Sequence, residues 1–144
     1  MRFTAPFTLK PWAFVVYFLV FALAGLAAVG YIDPEMRVVD LDQAIPGFYG
    51  HASNVLISYA LIVVYGLIRL VMGAGLRELA IVTAVVIAAN YFYEAALTLW
   101  NTKDLADAHW GAVSSLLTFA LLAAIKLYGL KPATVAAPGS VART

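Results

Sequence analysis

Trp12–Ile32 reads WAFVVYFLVFALAGLAAVGYI, an unbroken run with no charged or amide side chain. About 20 predominantly apolar residues cross the hydrocarbon core of a bilayer as one helix, so this run predicts a membrane span. Three more runs of the same kind follow, approximately Ala52–Met72, Leu79–Trp100 and Ala108–Tyr128. The fold expected is therefore all-α, a polytopic four-helix transmembrane bundle. Residues 1–131 form its single domain, and the small polar tail 132–144 is expected to be disordered. The whole composition agrees: of 144 residues, 64% are hydrophobic and 12% charged, with mean hydropathy +0.91. That excludes a soluble globular domain. The first run is about twice the length of a signal-peptide apolar core, so it is expected to stay in the protein. With no cysteine, disulfides, thiolate metal sites and a cysteine nucleophile are excluded.

Charge orients the bundle. Short loops rich in Lys and Arg stay in the cytoplasm. Arg2, Lys10, Arg69, Arg77, Lys126, Lys131 and Arg143 fall on one side of the four spans, and only Arg37 and Lys103 on the other. The second side holds Asp33, Glu35, Asp40, Asp42, Glu94, Asp104 and Asp107, with both histidines. Both termini are accordingly expected in the cytoplasm, and the acidic face outside. A net charge of +1, so segregated, carries no signature of nucleic-acid binding. The short turn Gly73–Glu78 makes the second and third spans antiparallel neighbours, and Asn101–Asp107 does the same for the third and fourth. Only the loop Asp33–Gly50 has room for structure of its own.

Polar residues recur on three spans at helical spacing. His51, Asn54, Ser58 and Tyr65 share a face of the second. Thr83, Asn90, Glu94 and Asn101 share one on the third, and Asp107, Gly111, Ser114 and Thr118 on the fourth. A polar side chain inside a bilayer faces protein or a wet cavity. The stripes therefore predict an outward pocket lined by the last three spans, with the first span as scaffold or lipid-facing wall. Small and hydroxyl residues also mediate helix packing, at about 0.6 kcal/mol per contact, and that reading stands beside the first for Gly111, Ser114 and Thr118. Glu94, roughly 9 Å below Trp100 along its helix, needs a proton or a partner. Asp104 is placed to cap the fourth helix, and Asp107 lies in its first turn.

Two segments resemble a known family. Gly50-His51-Ala52-Ser53-Asn54, leading into Ser58-Tyr59-Ala60-Leu61, looks like the helix start of VanZ-like membrane proteins. Glu94, then Asp104-Leu105-Ala106 and Gly111, looks like their acid–aspartate–glycine signature, and the resemblance extends from Gly50 to Leu122. The pattern departs at Tyr49, Gly50, Tyr93, Leu97 and Ala108. The resemblance implies a bacterial inner-membrane protein of envelope maintenance, with His51, Glu94 and Asp104 as matched positions.

The function expected is binding of a lipid-linked or amphipathic ligand by His51, Asn54, Asn90, Glu94, Asp104, Asp107 and Ser114. The alternatives are an outer-leaflet enzyme and an accessory subunit of a membrane complex. No cofactor is called for. A divalent metal held by His51, Glu94, Asp107 and His109 is the metal alternative. Membrane lipids are the expected partners, with a second copy or another membrane protein as further candidates.

Overall fold

In the computed structural model, which describes residues 5–96 and 104–133, four long helices form the bundle. Strand β1 (Phe7–Leu9) leads into α1 (Pro11–Ile32). A 3-10 turn (Pro34–Met36) and the short α2 (Val39–Ala44) make up the first loop. Helices α3 (Phe48–Val71), α4 (Leu76–Ala96) and α5 (Leu105–Ala124) follow, and α5 runs on through a wider π-helical turn (Ile125–Gly129) into β2 (Leu130–Pro132). The helices Pro11–Ile32, Phe48–Val71, Leu76–Ala96 and Leu105–Gly129 are each long and apolar enough to cross a membrane.

Two helix starts differ from expectation. The second span begins at Phe48 rather than near Ala52, because Gly47 adopts the left-handed conformation (φ 78°) and turns the loop straight into helix. His51 therefore sits in the first turn of α3. Gly73, also left-handed (φ 95°), lets Ala74 N–H bond back to the Arg69 carbonyl at 2.8 Å, so α4 starts at Leu76. Trp100, Asn101, Lys103 and the tail from 134 onward lie outside the described residues. Pro132, expected to open that tail, belongs to β2.

The segments just before α1 and just after α5 are stapled together. Strands β1 and β2 pair antiparallel, Phe7 with Pro132 and Leu9 with Leu130, and Lys10 N–H bonds the Gly129 carbonyl at 2.7 Å. Both segments therefore lie on one face of the bundle, as an even number of spans requires. Beside the staple, Ala13, Ile62, Leu70, Leu79, Leu122 and Ile125 form a dry core. At the turn between α3 and α4, Glu78 accepts from Arg69 Nε at 2.5 Å and from the Tyr65 hydroxyl at 2.8 Å. Tyr65, expected on the polar stripe of the second span, is thus held at the opposite end of α3 from His51.

Helix α5 is the centre of the bundle, packing closely on α3 and α4, whereas α1 packs mainly on α3. Close approach follows from small residues. A Cβ on Gly66 would overlap the Leu122 side chain, and one on Gly111 would lie 2.7 Å from Asn90 Nδ2 and 3.1 Å from Ser58 Oγ. Helix α1 is pinned at its two ends. Next to the staple, Ala13 packs against Gly129, where a Cβ would come within 2.7 Å. At the far end, a Cβ on Gly30 would meet the Tyr49 hydroxyl at 2.9 Å. Arg37 donates there to the Gly30 carbonyl at 3.2 Å and lies 4.9 Å from the centre of the Tyr49 ring. Tyr49 is buried, its hydroxyl accepting from Val38 N–H at 3.0 Å.

Candidate functional site

At the loop end of the bundle, the first turns of α3 and α5 face each other. Gly47 starts one helix. Asp104 starts the other, its side chain accepting from Ala106 N–H at 2.9 Å as an N-cap should. The two starts bring His51 Nδ1 to 2.6 Å from Asp107 Oδ1, with both side chains largely shielded. One ligating atom from each of His51, Asp104 and Asp107 lies within 4.8 Å of the others. The His51 ring stacks on Trp110 (centroids 6.0 Å apart, planes 16° from parallel), and Phe48 meets Trp110 edge to face at 6.4 Å.

Glu94 belongs to this region from below. It is 2% exposed, and its Oε2 accepts weakly from the Asp104 main-chain N–H at 3.4 Å. Its Oε1 has no partner among the described residues. His109 is set apart: its Nδ1 lies against the Leu105 carbonyl at 2.5 Å and its ring meets Tyr91 edge to face.

Other stripe residues are used in packing. Asn90 donates to Ser58 Oγ at 2.8 Å across the α3–α4 contact, directly over Gly111. Ser114 donates to the Val55 carbonyl at 2.8 Å, and Thr83, Ser115 and Thr118 bond back to carbonyls one turn earlier in their own helices. Asn54 is half-buried one turn along α3 from His51.

A cavity of about 650 Å³ lies between α1, α3 and α5. Val20, Leu23, Ala24, Leu26 and Ala27 line it from α1. Val55, Leu56 and Tyr59 line it from α3, and Trp110, Val113, Ser114, Leu117, Thr118 and Leu121 from α5. Val38, Leu41, Ile45 and Phe48 roof it from the first loop and the start of α3. Among the described residues, no charged side chain and no residue of α4 contributes. Tyr59, Ser114 and Thr118 are its few polar residues, and the Tyr59 hydroxyl is buried without a partner among the described residues. The void thus differs from the polar pocket expected between the last three spans. The Gly111–Asn90–Ser58 contact draws α3, α4 and α5 together there, whereas the crevice lies between α1 and the α3–α5 pair. Trp110 belongs to both regions, lining the crevice and stacking on His51.

Fold and site together define a small multi-spanning helical membrane protein. Comparison of the chain with family models, with curated proteins and with solved structures returns no significant match.

Proposed function

We propose that this chain is a bacterial inner-membrane protein of the cell envelope that binds an amphipathic, lipid-linked ligand. The apolar part occupies the crevice between α1, α3 and α5, and the polar head lies at His51, Asp104 and Asp107. One observation carries the reading: the apolar crevice runs up to Trp110, and the same ring stacks on the paired His51. An apolar cavity meeting a few convergent polar groups is the general form of a ligand site, and about 650 Å³ falls within the usual range of roughly 300–1,000 Å³. A lipid chain is the occupant favoured here, because the crevice is apolar and lies within the span-forming part of the bundle. Both termini are assigned to the cytoplasm from the excess of Lys and Arg at the stapled end. The head site then faces outward, in keeping with the VanZ-like resemblance of the segments around His51, Glu94 and Asp104.

The test is lipid retention. Protein purified in mild detergent is expected to carry lipid, detected by native mass spectrometry. Ala24→Phe fills the crevice from α1 and should weaken lipid affinity about tenfold or more, as expected when overpacking costs at least about 1.4 kcal/mol. Val85→Phe, on an exposed face of α4, should leave it unchanged. Equal lipid retention in both variants would overturn the reading.

A second reading, an enzyme of the same leaflet, draws on the His51–Asp107 pair. Asp107 holds one ring nitrogen and leaves Nε2 as a proton acceptor. Turnover of the co-purified lipid, lost in His51→Gln, would be its sign.

A further inference from the structure

We infer that His51, Asp104 and Asp107 form a binding site for a divalent transition-metal ion of the zinc or manganese type. The residues come from two helices and are far apart in sequence, yet one ligating atom of each falls within 4.8 Å of the other two. An imidazole nitrogen with carboxylate oxygens is a donor set suited to zinc and manganese. It leaves positions open for water or for a ligand's oxygens. Each side chain already has a reason to be oriented. The cap bond to Ala106 holds Asp104, the Trp110 ring holds the plane of His51, and Asp107 projects from the first turn of α5. Supports of this kind fix the ligands of a metal centre.

Glu94 supplies the second observation. It is 98% buried, yet Oε1 meets no partner among the described residues, and Oε2 reaches only the main chain of Asp104 at 3.4 Å. A buried carboxylate without compensation is strongly unfavourable. This one ends against the residue that begins the cluster. The region therefore holds three carboxylates and one imidazole, and among the described residues Arg37, the cation of the first loop, is engaged by Gly30 and Tyr49. A divalent ion between His51, Asp104 and Asp107 supplies positive charge to these carboxylates, with Glu94 beside the cluster rather than a ligand. This differs from the set suggested by the sequence. His109 turns to the Leu105 carbonyl and Tyr91, and Asp104 takes its place.

The experiment needs no lipid, so its outcome is independent of the ligand reading above. The full chain, purified in detergent and stripped with chelator, is dialysed against Mn²⁺ or Zn²⁺ and its metal content measured. Manganese binding is followed by electron paramagnetic resonance. One ion per chain is expected for at least one of the two metals. His51→Gln removes the imidazole. Asp104→Asn keeps a capping side chain at the start of α5 and removes a charged ligand, so it tests the site without disturbing the fold. Loss of the ion in both variants, each still monodisperse in detergent, supports the site. Absence of a stoichiometric ion in the unaltered protein, or its retention in either folded variant, overturns it.

Discussion

Gly111→Val is expected to lower the stability of the bundle by about 2–4 kcal/mol, the sum of an overpacking strain of about 1–3 kcal/mol and a lost interhelical hydrogen bond of about 0.6 kcal/mol. The glycine lies where α5 meets both of its neighbours. A Cβ there would sit 2.7 Å from Asn90 Nδ2, 2.9 Å from Asn90 Cγ and 3.1 Å from Ser58 Oγ. Neither neighbour has an easy escape, because Asn90 and Ser58 are bonded to each other at 2.8 Å. Gly66 offers a contrast. Its added Cβ would strike the end of the Leu122 side chain, which has rotamers to give way with. Gly25, with nothing near its missing Cβ, is the control, and Gly25→Val should leave stability unchanged. Combining Gly111→Val with Asn90→Ala removes the group most crowded by the new side chain. The double variant should then recover part of the loss, a coupling expected only between residues in contact. Thermal unfolding in detergent measures all four proteins. Gly111→Val as stable as Gly25→Val would mean that α4 and α5 are not so close at this point.

How much of this was visible in the amino-acid sequence depends on the physics that fixes each feature. The four spans were legible, because apolar length alone decides them: a run such as Trp12–Ile32 has no other stable place for its backbone. The cap at Asp104 was legible for a similar reason, since its chemistry is local. Helical spacing aligned Ser58, Asn90 and Gly111 on facing stripes, but spacing cannot tell a stripe that lines a void from one that closes it. Here the outcome turns on a missing Cβ at Gly111, which lets an amide and a hydroxyl meet over the glycine. The crevice itself left no trace in the pattern of α1. Val20, Leu23, Ala24 and Ala27 are as apolar as the exposed Phe14, Phe18 and Phe21, and lipid-facing and cavity-facing residues of one helix look alike. The staple of Phe7–Leu9 on Leu130–Pro132 was invisible too, because three-residue strands carry no periodicity of their own. The fold of the first loop was likewise out of reach. It depends on Arg37 and Tyr49 reaching back to Gly30, contacts that no local rule foretells.

Glu94→Met is expected to raise the stability of the protein by about 1–3 kcal/mol in the absence of added metal, the range for relieving a buried acceptor without a partner. Most substitutions at a residue 2% exposed destabilise, so the sign is the informative part. Methionine fills a volume close to that of glutamate, and the only hydrogen bond it gives up is the weak one of 3.4 Å from the Asp104 main chain. What it removes is a carboxylate whose Oε1 is buried with no partner among the described residues. A structural ion pair predicts the reverse. Were Glu94 paired with a cation essential to the fold, cutting away one partner would destabilise by about 3–5 kcal/mol. Glu94→Gln separates charge from shape, because it keeps an acceptor for Asp104 N–H and should fold normally while binding of the polar head weakens. Paired unfolding curves of Glu94→Met and Glu94→Gln, read beside lipid retention by the same samples, therefore distinguish a residue kept for function from one kept for the fold. A Glu94→Met variant that unfolds more readily than the parent would assign the carboxylate to the scaffold. A more stable variant that has lost its lipid would mark a site where stability has been given up for binding.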